Sequence, residues 1–138
     1  PLRMDRHVAN AEAVAVFLEG HPAVAWVSYA ALRSSPSLKN KNRYFPNGCG
    51  AVFTFGLKGG YEAGTRLVEG CELLSHLANV GDTRSLILHP ASTTHRQLTE
   101  EQQIAAGAGP DVVRISVGIE TVEDITRDLN QALRAAGN

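Results

Sequence analysis

Apolar residues recur at helical spacing near the start of the chain. They fall on one helical face and are Met4, Val8, Ala11, Ala15 and Leu18. Steps of three and four positions are the signature of an amphipathic helix. Gly20 and the Pro22 that follows it predict the end of this helix. No Ser, Thr, Asp or Asn precedes Met4 as a cap, so we expect the helix to begin upstream of the given sequence.

The last segment carries the same pattern more strongly. Its apolar face consists of Val122, Ile125, Leu129, Ala132, Leu133 and Ala136. Thr121 is placed to cap this helix, and Glu123 and Asp124 lie in its first turn, where the helix dipole favours anions.

Three segments have the composition of strands. Residues 23–29 are apolar on both faces, which predicts an internal strand. Residues 51–57 place Phe53, Phe55 and Leu57 on one face. Residues 112–119 alternate. One face of this segment has Val113, Ile115, Val117 and Ile119, and the other has Val112, Arg114, Ser116 and Gly118.

The remaining elements are shorter. After Gly59-Gly60 we expect a helix with a face of Tyr61, Gly64, Val68 and Cys71. Residues 73–80 and 85–88 are predicted as short strands joined by a turn at Gly81-Asp82. Thr99 and Gln102 form a capping-box pattern for a short helix. Residues 33–50, rich in Ser, Pro, Asn, Lys and Gly, are predicted as a long surface loop or a weakly ordered segment.

This order of elements predicts an α+β fold. Few connections are long enough for parallel crossovers, so we expect a mostly antiparallel sheet with helices packed on one face.

Composition narrows the functional class. The chain has 138 residues, a net charge of −1 and an apolar fraction of 43%. These values indicate a globular chain of one domain, or two very small ones, without a basic field for nucleic acid. No apolar run is long enough to cross a membrane. Two cysteines, Cys49 and Cys71, are too few for a disulfide framework, and we expect free thiols in the cytoplasm.

Arg114 is the strongest candidate for chemistry on physical grounds alone. It lies in the middle of a strand, on the face opposite Val113 and Ile115. A guanidinium there offers a planar fork to a carboxylate. The alternative is an ordinary arginine on a solvated face, and the residues themselves leave both open.

Other signals are weaker. The stretch from Asn79 to His95 is dense in small polar residues, as loops that line sites often are, but an ordinary turn has the same composition. The five histidines show no metal-ligand spacing, and no phosphate-binding or nucleophile motif is present. We therefore expect no metal.

Several blocks together resemble one enzyme family. They are residues 2–11, 50–55, 75–82, 89–95 and 113–120. The H-P-A-S-T-T-H and R-I-S-V-G-I-E blocks are the most specific. In this order they are similar to the C-terminal part of the Cys/Met-metabolism enzymes that depend on pyridoxal 5'-phosphate, most of all to the O-acetylhomoserine sulfhydrylase branch.

The resemblance implies a fold and an activity. Residues 1–20 would be the end of an interdomain helix and residues 21–138 the C-terminal, substrate-binding domain of a fold type I transferase. The parent enzyme would convert O-acetyl-L-homoserine and sulfide, or a thiol, to homocysteine or methionine, as a cytoplasmic homotetramer. One departure is Tyr29-Ala30-Ala31-Leu32, where relatives have Y-P-G-L.

The resemblance also assigns roles to three residues. Arg114 would bind the substrate α-carboxylate, Asn79 would lie beside the amino acid, and Thr94 would support the same pocket. Many lyases of the wider family have serine in place of Asn79, which favours the acetylhomoserine branch.

The resemblance implies that the catalytic machinery lies elsewhere. The Schiff-base lysine and the phosphate-binding residues would belong to an N-terminal domain absent from this chain. We therefore expect a fragment that alone neither holds the cofactor nor turns over. Two alternatives remain at this point: a cystathionine γ-synthase or γ-lyase relative, and a free-standing α+β ligand-binding module.

Overall fold

The computed structural model describes residues 1–137; Asn138, the last residue of the predicted domain, lies outside the described residues. The helices are α1 Leu2–Glu19, α2 Leu38–Tyr44, α3 Gly60–Gly70, α4 Glu100–Ala105 and α5 Val122–Ala136. The strands are β1 Val24–Ser28, β2 Val52–Leu57, β3 Ser75–His76, β4 Leu86–Leu88 and β5 Val112–Ser116. No helix in the described part of the chain is both long enough and apolar enough to span a membrane.

The strands form one sheet in the order β1-β2-β5-β4-β3. Three of its four pairings are antiparallel, and only β3 and β4 run parallel. This confirms the predicted α+β class with a mostly antiparallel sheet.

The main core lies between the sheet and the helices α1, α3 and α5. The strand alternation is confirmed there, because Phe53, Phe55, Val113 and Ile115 are at most 4% exposed. From the helices the core receives Val14, Leu18, Leu67, Ile125, Leu129 and Leu133. The burial of these apolar side chains is the main force that holds the helices on this face.

The opposite face of the sheet is partly covered as well. Leu86, Leu88 and Val112 point away from the main core and are also buried. A 3₁₀ turn at Pro90–Ser92 contacts β5. This second face therefore has an apolar floor, and it is the face that carries Arg114.

Two predictions about the first half are wrong. Strand β1 lies at the edge of the sheet and not inside it, and its Ala25, Trp26 and Ser28 are exposed. The predicted 33–50 loop contains helix α2, none of whose residues is buried. Because α2 lacks an apolar face, its sequence carries no helical periodicity to detect.

The link between β3 and β4 also differs from prediction. The sequence predicts two short strands, residues 73–80 and 85–88, with a turn at Gly81-Asp82 between them. Strand β3 is only Ser75–His76, and it runs parallel to β4, against the mostly antiparallel pairing predicted for the sheet. Because β3 and β4 are parallel, residues 77–84 carry the chain from the C-terminal end of β3 back to the N-terminal end of β4. This segment is called the crossover below.

Helix faces are confirmed in part. Helix α1 buries Ala11, Ala15 and Leu18 as predicted, but also the polar His7 and Asn10, while Met4 is 46% exposed. In α3, Gly64 and Val68 are buried, whereas Tyr61 is exposed.

Helix starts behave differently at the two predicted caps. At α4 the Thr99 hydroxyl accepts a hydrogen bond from the Gln102 backbone, and the Gln102 side chain accepts one from the Thr99 backbone. This confirms the capping box. Thr121 is the cap residue of α5, but its side chain makes no capping hydrogen bond.

Candidate functional site

Arg114 lies at the centre of the sheet, on the face turned away from α5. It is half-buried on β5, paired with Thr54 of β2 on one side and Leu88 of β4 on the other. No described residue forms a hydrogen bond or ion pair with its guanidinium. Its N–H donors are therefore available to a ligand, in the planar fork that matches a carboxylate.

Two hydroxyl groups continue the row from Arg114 toward the edge of the sheet. Thr54 pairs with Arg114, and Ser28 of β1 pairs with Thr54. Directly paired residues share a face, so the three side chains lie on one surface. Sequence reasoning missed Thr54 and Ser28. The alternation of 51–57 placed Thr54 opposite Phe53 and Phe55, but no sequence signal gave the pairing.

The next row on this face carries an indole ring. Trp26 pairs with Gly56, and its Nε1 donates a 2.9 Å hydrogen bond to Asp111. A Cβ at Gly56 would collide with this indole nitrogen. The glycine thus lets Trp26 lie flat across β2, where it bounds the Arg114 row on one side.

Asn79 lies in the crossover, directly before two residues that approach this face. Asn79 is exposed, and its Oδ1 accepts a 2.8 Å hydrogen bond from the Val80 backbone. The following residues, Val80 and Gly81, line a cavity together with Val52 and Ser116, which belong to the face of Arg114 by register. Val80 and Gly81 therefore lie beside the strand pair that neighbours Thr54 and Arg114 on this face.

The Glu120 carboxylate fixes the position of the C-terminal end of the crossover through hydrogen bonds. Glu120 accepts hydrogen bonds from the Ser85 backbone at 2.6 Å and the Ser85 hydroxyl at 2.9 Å. The Ile119 backbone donates to Thr83 O at 2.9 Å. A Cβ at Gly118 would collide with Thr83 O and the Glu120 carboxylate, which explains physically why glycine stands there in the R-I-S-V-G-I-E block.

Within the crossover, Asp82 and Arg84 form an exposed ion pair at 3.2 Å. Hydrogen bonds from Arg84 hold the pKa of Asp82 below its usual value. An exposed pair of this kind contributes little to stability, so its effect is on the local shape of the turn.

The segment after β4 is held by His89, which is fully buried. Its Nδ1 lies 2.9 Å from the Ser92 hydroxyl and its Nε2 lies 2.9 Å from Pro110 O. Tyr61 packs edge-on against the ring, and a Cβ at Gly64 would lie only 2.6 Å from it. His89 therefore anchors this segment to α3 and to the start of β5.

Thr94 lies in the same segment, just past the 3₁₀ turn. It is exposed, and its hydroxyl is 2.8 Å from His95 Nδ1. Among residues 1–137, no hydrogen bond joins any two of Arg114, Asn79 and Thr94. The structure therefore shows no direct contact among the three residues, and their convergence on one substrate stays a prediction.

The cysteine thiols and the possible metal ligands were the other candidates for chemistry. Cys71 follows α3 and packs against the core, and burial, with Asp128 nearby, raises its pKa to about 12. Such a thiol is not activated for nucleophilic attack. Among the residues that the structure covers, no group of three or more His, Cys, Asp or Glu side chains is arranged to hold a metal ion.

The sequence of this chain is similar to that of one known enzyme family. Residues 1–134 match the model of the family described as Cys/Met metabolism PLP-dependent enzyme. The chain is 53% identical over 132 residues to O-acetyl-L-homoserine sulfhydrylase 1 of Thermus thermophilus, covering 96% of this chain and 31% of that protein. It is 52% identical over 135 residues to the homocysteine synthase of Schizosaccharomyces pombe, covering 98% and 32%.

A solved structure agrees. A putative O-acetylhomoserine (thiol)-lyase from Campylobacter jejuni, which carries N'-pyridoxyl-lysine-5'-monophosphate, superposes with a TM-score of 0.89 at 39% identity, covering 96% of this chain and 32% of that one. The chain thus spans about a third of the length of the relatives that it matches. With nearly its whole length matched in sequence and fold, this chain belongs to the Cys/Met metabolism family of PLP-dependent enzymes.

Proposed function

We propose that this chain is the substrate-binding part of an O-acetylhomoserine sulfhydrylase. The parent enzyme transfers the four-carbon amino acid group of O-acetyl-L-homoserine to sulfide or a thiol and releases acetate. Residues 1–20 end the interdomain helix, and residues 21–138 form the substrate-binding domain. The observation that carries the proposal is the Arg114 guanidinium, half-buried at the centre of the sheet with no partner among the described residues.

Arg114 binds the α-carboxylate of the amino acid. Two parallel N–H donors on two carboxylate oxygens fix both position and orientation. Once the carboxylate is fixed, rotation of the substrate is restricted and its Cα–H is presented in one direction, which removes an entropic part of the barrier. Thr54, beside Arg114 on β2, supplies a hydroxyl group at the edge of this carboxylate-binding site.

Asn79 and Thr94 form two further parts of the proposed pocket for the amino acid substrate. Asn79 lies in the crossover and is exposed, and only its Oδ1 is engaged, by the Val80 backbone. It contributes a donor to the amino acid substrate. Thr94 supports the same pocket from the segment that His89 anchors. The high identity to sulfhydrylases and the asparagine at position 79 both favour the acetylhomoserine branch.

The described residues do not fit the attachment of pyridoxal phosphate. The chain has three lysines, of which Lys39 and Lys58 are exposed and Lys41 shares a cavity with Glu12 and Glu19. A Schiff-base lysine is activated by burial in an apolar pocket or by neighbouring cations, and none of the three has such a setting. The N-terminal domain of the parent enzyme would hold the cofactor.

The isolated chain is therefore expected not to bind pyridoxal phosphate. Titrating the chain with the cofactor should give no saturable change in visible absorbance and no activity. Full-length enzyme in the same titration is the positive control. Stoichiometric uptake by the chain alone would overturn this assignment.

The reaction itself is tested on the full-length enzyme with two substrate pairs. We expect homocysteine and acetate from O-acetylhomoserine with sulfide, and much slower turnover of O-succinylhomoserine with cysteine. The reverse preference would make the protein a cystathionine γ-synthase. Release of ammonia and 2-oxobutyrate without a thiol would make it a γ-lyase.

We also propose a cytoplasmic homotetramer. The location is supported by the two cysteines, both free thiols, because disulfides are rare in reducing compartments. The tetramer follows from the family resemblance, and the mass of the full-length enzyme in solution tests it.

A further inference from the structure

One face of α1 carries polar side chains that form hydrogen bonds outside the helix. Their spacing of three, one and three positions is that of a single helical face. They are Arg3, Arg6, His7 and Asn10. The last two are at most 3% exposed. Because a buried polar group is costly without its partners, such contacts fix the position of the helix on the domain.

Asn10 contacts the short segment between β5 and α5, residues 117–121, which we call the β5–α5 junction. Its Nδ2 donates to Gly118 O at 3.0 Å and to Glu120 O at 2.8 Å. The junction lies outside both β5 and α5, so the regular hydrogen bonds of a strand or helix do not fix these two carbonyl groups. Asn10 therefore holds the junction at two points.

Two further side chains of α1 strengthen this contact. Arg6 donates to Glu120 O at 3.3 Å, and His7 Nδ1 lies 2.7 Å from Val117 O. A carbonyl oxygen only accepts, so His7 carries a proton on Nδ1. Three carbonyl groups of the junction thus receive their donors from α1.

The β5–α5 junction also holds the C-terminal end of the crossover. The Glu120 carboxylate accepts from the backbone and the hydroxyl group of Ser85. The Ser85 hydroxyl in turn accepts from the Gly118 backbone at 2.8 Å, and the Ile119 backbone donates to Thr83 O at 2.9 Å. The junction therefore lies between α1 and the crossover and is hydrogen-bonded to both.

The middle of the crossover depends on anchors at its two ends. Within residues 1–137, residues 78–80 form no hydrogen bond to any residue outside the crossover. The anchor before them is strand β3, which pairs with β4. The first anchor after them is Gly81, whose carbonyl accepts from Arg3 at 3.3 Å. The position of Asn79 is therefore set by β3 on one side and by α1 and the junction on the other.

We propose that α1 positions Asn79 for the amino acid substrate through the β5–α5 junction, and that Asn10 is the positioning residue of this relay. Asn10 fixes Glu120, and Glu120 fixes Ser85, which directly follows the crossover. The inference rests on the proposed function, in which Asn79 lies beside the substrate and residues 1–20 end the interdomain helix. The affinity for O-acetylhomoserine then depends on how α1 contacts this domain.

A double-mutant cycle in the full-length enzyme tests whether Asn10 acts through Asn79. Asn10→Ala removes both donors to the junction. We expect it to raise KM for O-acetylhomoserine about fivefold and to leave kcat within about twofold, because the reacting groups are untouched. Asn79→Ala alone should raise this KM about tenfold, as for one lost hydrogen bond. Adding Asn10→Ala to Asn79→Ala should then change KM by less than about twofold, because the residue that it positions is gone.

A purely structural role of Asn10 gives a different result. Asn10→Ala would then lower the melting temperature and change KM by the same factor with or without the Asn79 side chain. That additive outcome would overturn the proposal. An unchanged KM in the Asn10→Ala enzyme would overturn it as well.

Arg3→Ala decides the question if Asn10→Ala gives no folded enzyme. Arg3 is exposed and donates directly to Gly81 O, two residues from Asn79. We expect KM for O-acetylhomoserine to rise about threefold, and this rise to disappear in the Asn79→Ala enzyme. Arg66→Ala, at an exposed arginine on α3 whose Nε donates within its own helix, is the matched control and should change neither KM nor kcat. In that case, an Arg3→Ala enzyme with the kinetics of the control would contradict the relay.

Failure of the proposed function would look different. An unmodified full-length enzyme that makes no homocysteine from O-acetylhomoserine and sulfide contradicts the sulfhydrylase assignment. An active enzyme whose KM is unchanged by Asn79→Ala contradicts the role of Asn79 and, with it, the relay. An active enzyme that needs Asn79 but shows additive effects of Asn10→Ala and Asn79→Ala contradicts the relay alone.

Discussion

Arg114→Lys in the full-length enzyme is expected to lower kcat/KM for O-acetylhomoserine by about 100-fold. The ammonium of lysine is a point charge that cannot make the two parallel hydrogen bonds of a guanidinium. Losing one charge-assisted hydrogen bond costs about 1.5–3 kcal/mol, and each 1.4 kcal/mol is about tenfold in rate. Steady-state kinetics over a range of O-acetylhomoserine concentrations measures the loss.

The same substitution at Arg127 is the control. Arg127 lies on the outer face of α5, in an exposed ion pair with Asp124 at 2.8 Å, and Arg127→Lys should leave kcat/KM unchanged. Because no described residue bonds to the Arg114 guanidinium, Arg114→Lys should also keep the melting temperature of the parent. Full activity in Arg114→Lys would show that the substrate carboxylate is bound elsewhere.

Strand alternation accounts for what could be predicted at this site. The period of two along residues 112–119 placed Arg114 on the face opposite Val113 and Ile115, and the structure has it there. The neighbours of Arg114 could not be predicted in this way. Thr54 and Ser28 reach it through the register of three strands, and register depends on pairing between distant segments, which a local pattern does not encode.

The same limit explains the errors in the fold. Residues 23–29 are apolar enough for an internal strand, but β1 is an edge strand whose exposed Trp26 is satisfied by Asp111, 85 residues away. The Gly81-Asp82 pair has the chemistry of a turn, yet it lies in a crossover fixed by Glu120 and Ser85. In both cases a long-range contact overrides a correct local signal.

Helix α1 shows a related effect for polar residues. His7 and Asn10 lie on its buried side, where backbone carbonyl oxygens at the β5–α5 junction pair with their side chains. Asn10 Nδ2 donates to Gly118 O at 3.0 Å and to Glu120 O at 2.8 Å. The helical spacing of apolar residues does not reveal such buried polar residues. Even so, buried polar side chains with matched partners specify where a helix docks.

Asp128→Ala is expected to be the most destabilising of the substitutions considered, by about 3 kcal/mol in the free energy of unfolding. Asp128 is 7% exposed on α5. Its carboxylate accepts hydrogen bonds from the backbones of Glu72, Leu73 and Leu74 at 2.9 to 3.1 Å. It thereby holds the chain between α3 and β3, and alanine would leave three backbone donors without their acceptor. Urea unfolding of the parent and the variant measures the difference.

The loss should depend on pH in a defined direction. Burial alone raises the pKa of Asp128, but the three backbone N–H groups and the Gln131 amide outweigh it, so the pKa lies below its usual value. A carboxyl with a lowered folded-state pKa stabilises the fold fully above the unfolded pKa of about 4, and this stabilisation disappears as the pH falls through the folded value. The gap between parent and Asp128→Ala should therefore be constant near neutral pH and shrink in acid. Asp124→Ala, on the exposed side of the same helix, should cost far less at neutral pH, and a gap for Asp128→Ala that persists unchanged in acid would show that lost packing, not the carboxylate, is responsible.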